Sequence, residues 1–144
     1  MITEFDGKYA FLSNFYHAPF TYDGIEYPTN EHFFQAMKTL DQEERKKIAA
    51  AATPGKAKRM GRQIQLREDW EEIKIDIMRL GISLKFHAHP DLAQKLVETN
   101  DAYLIEGNTW CDQIWGSCNC SHHKNIPGRN LLGQILMEER EKLK

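Results

Sequence analysis

The chain has 144 residues, the usual size of one domain and long enough to bury a core without disulfides or metals. Nineteen Lys and Arg against twenty-one Asp and Glu leave a net charge of −2, which excludes a global pull toward nucleic acid or an anionic membrane. No basic segment followed by an apolar run opens the chain, and no stretch approaches the roughly 18 apolar residues of a membrane span, so a soluble, cytoplasmic protein is expected.

Three cysteines crowd into positions 111–120, an odd number that fits a reducing compartment better than a secreted disulfide framework. No repeat, low-complexity tract or Gly/Ser/Pro-rich linker divides the sequence, so a single domain over 1–144 is expected. The first third reads as β. In "PFTYDGIEYP", Asp23-Gly24 stands between two short runs of β-branched and aromatic residues, the signal for a two-residue hairpin, and Pro28 ends the second strand. From Thr29 or Asn30, both good N-caps, the pattern turns helical, with Phe33, Phe34 and Met37 on an apolar side. Glu31 and Lys38 are i and i+7, so a continuous helix would carry them on one face, roughly 10 Å apart along its axis, where they could flank a small ligand.

"DQEERKKIAAAA" predicts a second helix, and Thr53-Pro54 caps and opens a third that carries Lys56, Lys58, Arg59 and Arg62. Its free N–H groups and basic residues suit a phosphate, although a solvated basic face reads the same way. After "LREDW", with Trp70 at its start, Ile73, Ile77, Leu80 and Leu84 repeat at near-helical spacing and predict a core helix to about Phe86. Pro90 opens a helix with Leu92, Leu96 and Val97, "AYLIEG" reads as a strand, and "RNLLGQILMEEREKLK" closes the chain as an amphipathic helix. The fold class expected is α+β, a mostly helical single domain with a small N-terminal β-hairpin.

Four clusters carry reactive side chains, each with a plainer structural alternative. Glu31 and His32 with Gln35 and Lys38 are either a site or a solvated helix face. In "NTWCDQIWG", residues 108–116, Asp112 lies between Trp110 and Trp115, indoles that could desolvate the carboxylate or stack on a flat ligand; the alternative is a packed loop capped by Asp112. Cys111, Cys118, Cys120, His122 and His123 offer zinc's preferred ligands, but the cysteine gaps of six residues and then one do not make two knuckles. Free thiols in a loop, and no metal, are expected. "FLSNF" holds Ser13 and Asn14 between Leu12 and Phe15, a pair that can grip ligand hydroxyls or satisfy its own turn.

Taken in order, "FLSNF", "YPTNEHFFQAMK", "RMGRQIQLREDWEEIKIDIM", "LKF", "DQIWG" and "NLLGQILMEER" resemble the YbiA-like N-glycosidases, also called NADAR proteins for their association with NAD and ADP-ribose metabolism. The resemblance runs nearly end to end, and the P-T-x-E-H-x-F-Q-A-x-K run is its specific part. It implies hydrolysis of a bond joining ribose to a nitrogen heterocycle, with no cofactor, and implies activity at Glu31, Trp70 and Asp112, with Lys38 a further candidate. The substrates implied are phosphoribosylamino-pyrimidine intermediates of riboflavin synthesis, or ADP-ribose on guanine, free or attached to DNA or RNA; no membrane partner is expected. Ser13, Asn14, His32, Arg62, Asn108 and Trp115 complete the expected substrate-binding set. Between Trp115-Gly116 and Asn130, relatives often have a short glycine-rich loop where this chain has "SCNCSHHKNIPGR".

The residue types suit the reaction independently. Cleaving ribose from nitrogen develops positive charge at C1 and negative charge on the base, which calls for an anionic group near the sugar and a proton donor near the base. Glu31 and Asp112 can divide these roles, an indole can hold the heterocycle, and a desolvated Lys38 can capture the opened sugar as a Schiff base. Two other classes remain: a non-catalytic ADP-ribose or nucleotide reader, which would not need Glu31, and a zinc-supported nucleic-acid module, which would need the cysteines.

Overall fold

The computed structural model describes every residue from Met1 to Lys144. The chain divides into two compact units, Asn14–His89 and Met1–Ser13 with Pro90–Lys144. No helix is long and apolar enough to cross a membrane.

The Asn14–His89 unit holds β1 (Phe20–Tyr22), β2 (Ile25–Tyr27), α1 (Asn30–Ala36), α2 (Gln42–Ala49), α3 (Pro54–Gly61) and α4 (Trp70–Ala88). β1 and β2 form the expected antiparallel hairpin, Phe20 opposite Tyr27 and Tyr22 opposite Ile25, with Asp23 and Gly24 at φ 52° and 80°. Thr29 caps α1, its hydroxyl accepting the His32 N–H at 3.2 Å. Thr53 caps α3 by the same device at 3.1 Å to the Lys56 N–H, with Pro54 in the first turn. Phe33 is the hub of the core: its ring meets Phe20, Tyr22 and Tyr27 edge-on at 5.3, 5.4 and 5.5 Å between centroids. α1 packs against α2, α3 and α4, and all seven of its residues are buried.

Two expectations change here. α1 stops at Ala36, so Lys38 lies in a tighter turn beyond it, its N–H donating to Gln35 O at 3.2 Å. The i, i+7 relation to Glu31 on one continuous helix therefore does not hold. On α4 the buried face is Trp70, Met78, Gly81, Ile82, Lys85 and Phe86, while Ile73, Ile77, Leu80 and Leu84 are only half-buried. The apolar stripe misled because a lysine occupies the deepest side of the helix. Lys85 is fully buried, its ammonium 5.8 Å from the Tyr16 ring centre and 5.3 Å from that of Phe86.

The other unit holds a 3-10 helix (Gly7–Leu12), α5 (Pro90–Val97), β3 (Gly107–Asn108), β4 (Ser117–Cys118) and α6 (Leu131–Leu143). α5 packs on α6, with Leu92, Leu96, Leu132, Ile135 and Leu136 buried. The strand expected at "AYLIEG" shrinks to one bridge between Ile2 and Leu104. Asn130 is the reason: its side chain donates to Leu104 O at 2.8 Å and accepts the Glu106 N–H at 3.0 Å, taking groups a longer ladder would use. Further along, β3 and β4 pair in parallel, Gly107 opposite Ser117 and Asn108 opposite Cys118. The mostly helical α+β class is as expected.

Two stability predictions follow from α1 and α4. A Cβ on Gly61 would overlap Gln35 Oε1, so α3 approaches α1 this closely only because residue 61 has no side chain. Gly61→Ala is expected to cost about 1–3 kcal/mol, the range for overpacking, read from urea unfolding. For Lys85, burial pushes the pKa down to about 7 from the ordinary 10.5. Between those values the unfolded chain carries a proton the folded chain lacks, so raising the pH through that window stabilises the fold, by up to roughly 1.4 kcal/mol per unit. Lys85→Met lacks this gain: urea midpoints should show the parent chain gaining on the variant from about pH 7 to pH 9, and parallel midpoints would contradict the account.

Candidate active site

Glu31 sits in the first turn of α1, nearly buried, with its backbone N–H donating to Asn14 O at 3.0 Å. Gln35, one turn on, donates its Nε2 to Glu31 Oε2 at 2.6 Å, a short charge-assisted bond that fixes one carboxylate oxygen. Asn14 was expected to meet substrate through its side chain. Instead its Oδ1 accepts from Asn30 Nδ2 at 2.8 Å and its Nδ2 lies 3.5 Å from Met78 Sδ, so the buried amide is spent inside the unit. What Asn14 supplies is the carbonyl that holds the Glu31 backbone.

His32 is likewise committed. Ala51 O can only accept, so Nε2 carries the proton and donates to it at 3.0 Å; Nδ1 then accepts from the Thr29 hydroxyl at 2.8 Å. Burial, the larger effect, lowers the ring's pKa below the ordinary histidine value, and the nearby His17 adds to it. A neutral ring with both nitrogens occupied ties α1 to the end of α2 and has none left for a ligand.

Lys38 is half-buried just past α1. Burial is the main cause of an amine held below the ordinary lysine value; Arg62 and Lys58 push the same way, and the Glu31 carboxylate opposes them. Those three charges thus act on one amine. Arg62 is exposed at the end of α3 and Lys58 is half-buried on it, while Lys56 and Arg59 of the same basic tract face solvent. Lys58 is a contributor that counting the tract as a whole could not single out. Trp70 is buried and packs on Phe34 at 5.0 Å between centroids with a 60° tilt, a wall within the core.

In the other unit, Asp112 is half-buried at the head of a turn. Its Oδ1 accepts the N–H groups of Ile114 at 3.0 Å and Trp115 at 2.9 Å, while Oδ2 is left unclaimed by the protein. Asn108 grips the Asp112 backbone from both sides: Oδ1 accepts its N–H at 3.1 Å and Nδ2 donates to its carbonyl at 2.9 Å. Both ends of the Asn108 amide are thereby used, and its observed role is to position Asp112 and not to face a ligand. Trp115 is half-buried and Trp110 is 61 % exposed. Ser13 is half-buried, its N–H donating to Ala10 O at 2.9 Å. Thus Asn14, Glu31, His32, Lys38, Arg62 and Trp70 fall in one unit, and Ser13, Asn108, Asp112 and Trp115 in the other.

Comparison with known proteins agrees with the motifs. The NADAR domain model matches residues 3–144. The chain is 42% identical over 137 residues to N-glycosidase YbiA of Escherichia coli K12, covering 94% of this chain and 82% of that one. It is 36% identical over 140 residues to the riboflavin biosynthesis protein VVA0006 of Vibrio vulnificus, covering 96% of this chain and 36% of that longer one. The solution NMR structure of the E. coli protein YbiA superimposes with a TM-score of 0.81 at 40% identity, over 99% of this chain and 82% of that chain. With that coverage, identity and fold, the chain belongs to the NADAR domain family and is a glycosyl-bond hydrolase of the N-glycosidase kind.

Proposed function

We propose that the substrate is a phosphorylated ribose or ADP-ribose joined to a nitrogen base, and that Lys38 and Glu31 carry out the cleavage of that N-glycosidic bond. The observation that carries this reading is a buried Glu31 carboxylate fixed by Gln35 in the helix that runs into half-buried Lys38, an amine that burial holds below the ordinary lysine value. A lowered pKa leaves more of the free amine, the form that attacks carbon, at neutral pH.

Lys38 Nζ bonds to C1 of the ribose as the bond from C1 to the base nitrogen breaks, and the departing base takes up a proton. The ring oxygen then leaves C1 as a hydroxyl, and C1 remains doubly bonded to Nζ as an imine. Glu31 takes the proton that Nζ gives up and returns it to the ring oxygen. Water adds to C1, Nζ departs as the amine, and the sugar is released as its aldehyde. Gln35 keeps Glu31 oriented throughout. Arg62 and Lys58, whose charges act on Lys38, receive the substrate phosphate, and Trp70 with Phe34 walls the aromatic side. The name of the Vibrio vulnificus relative supports an early riboflavin-pathway intermediate as one substrate; ADP-ribosyl guanine, free or in nucleic acid, is the second to be tried. Asp112, in the other unit, is kept as a candidate on the family resemblance alone.

Release of base is to be measured across that panel. Glu31→Gln and, separately, Asp112→Asn should each lower turnover at least about a hundredfold, the scale of losing a positioned acid or base. Unchanged function in Glu31→Gln would return the chain to the non-catalytic reader class. For the imine, intact-mass analysis after substrate and borohydride should show a sugar-sized gain that is absent in Lys38→Arg. Sustained turnover with no gain in the parent chain would sink the Lys38 route and leave Glu31 stabilising an oxocarbenium-like sugar unaided.

A further inference from the structure

The loop that leaves β3 and the turn that follows β4 bring four side chains to one point. The ligand atoms of Cys111, Cys118, Cys120 and His123 all lie within 4.8 Å of one another. Cys111 Sγ is 3.7 Å from Cys120 Sγ, and Cys120 Sγ is 3.1 Å from His123 Nδ1. With zinc–sulfur bonds of about 2.3 Å, adjacent sulfurs of a tetrahedral site stand about 3.8 Å apart, so the thiol pair already has that edge. The sulfur–nitrogen edge would open by a few tenths of an ångström.

Three further features belong to a built site. Cys118 is buried at 1 % exposure, and its sulfur accepts two backbone N–H groups, from Cys111 at 3.2 Å and Cys120 at 3.3 Å, donors that offset part of the charge of a metal-bound thiolate. Cys111 adopts φ 67°, a left-handed backbone that side chains other than glycine rarely take. The N–H groups of His123 and Lys124 both donate to Cys120 O, at 3.0 and 2.9 Å, which closes the turn that faces His123 toward the thiols. Spacing along the chain argued against zinc because the cysteine gaps of six and one make no pair of knuckles. The parallel β3–β4 pairing overrides that objection by returning the chain to Cys118 beside the loop that carries Cys111.

We propose that Cys111, Cys118, Cys120 and His123 bind a zinc ion that clasps the segment carrying Asp112. Three thiols and one imidazole make a closed tetrahedral set of the structural type, with no position open for catalytic water. Each cysteine gives up its thiol proton to solvent on binding, and His123 coordinates through Nδ1. Cys111 directly precedes Asp112, so the ion would fix the backbone that Asn108 grips from the other side.

The test uses the full chain purified under reducing conditions without chelator. Elemental analysis and native mass spectrometry should find about one zinc per chain, and cobalt exchanged into the site should give the intense thiolate charge-transfer absorption of tetrahedral cobalt. Because Cys118 is buried and its substitution would perturb folding as well as binding, the variants are Cys111→Ser and His123→Ala, with His122→Ala as the control. The first two should lose the metal, and gain protease cleavage within 109–129 while their helical circular dichroism persists; the control should keep it. A reduced, folded chain that takes up no zinc from zinc-containing buffer overturns the proposal. So does retention of the metal by both Cys111→Ser and His123→Ala, or a Cys111–Cys120 disulfide in rapidly alkylated cells in place of the ion.

Discussion

Every residue of α1 is out of water, and four of the seven are polar. A buried polar group without a partner costs about 1–3 kcal/mol, so this short helix is tenable only where its neighbours answer it group by group. Asn14 answers Asn30 and the Glu31 N–H, Gln35 answers Glu31, and Thr29 and Ala51 answer His32. Two amide oxygens, Asn30 Oδ1 and Gln35 Oε1, find no hydrogen bond. Each occupies the place where a Cβ would stand on a glycine, Gly81 for Asn30 and Gly61 for Gln35. A glycine Cα–H turned to each oxygen is the weak donor that remains, and it explains why α3 and α4 present a bare backbone to α1 there.

The same constraint organises the chemistry. A buried carboxylate held by Gln35 keeps its orientation, and its charge works against the lowering of the Lys38 pKa by burial. Lys58 of α3 and Arg62 at its end oppose protonation of that amine. Asp112, in the other unit, is held by other means: a side-chain clamp from Asn108 and a turn that uses one of its oxygens.

Local signals in the sequence were legible where local chemistry sets the structure. Asp23-Gly24, Thr29 and Thr53-Pro54 each act within four residues, and each does what its type dictates. Glu31 stood out because a carboxylate beside two phenylalanines is costly to bury. What escaped was decided through space. The Ile73, Ile77, Leu80, Leu84 stripe gives no sign that the α4 face carrying Lys85 with Met78 and Ile82 turns inward. "AYLIEG" has strand composition, but Asn130 claims its backbone groups from elsewhere. The spacing of the thiols makes no pair of knuckles, and their meeting depends on two strands of two residues each, too short to announce themselves. His32 and Asn108 were read as ligand-facing because composition cannot reveal that both ends of a polar side chain are already engaged.

The way α1 begins has one more consequence. A Ser/Thr cap is commonly closed by Glu or Gln three positions on; here that position is His32, which returns the Thr29 hydroxyl's bond through Nδ1. The lock on this helix is therefore an imidazole, and its key is the proton. Below the ordinary histidine value of 6.5 the unfolded chain takes up a proton that the folded ring, held lower by burial, still refuses, so stability drains away as the pH falls through that range. Once the ring is charged, Nδ1 can no longer accept from Thr29, and the first turn, which holds Glu31, loosens at the same moment. Mild acid thus reaches the proposed catalytic carboxylate indirectly, through the frame that carries it, and amide exchange along α1 as a function of pH would show whether that frame opens before the rest of the unit.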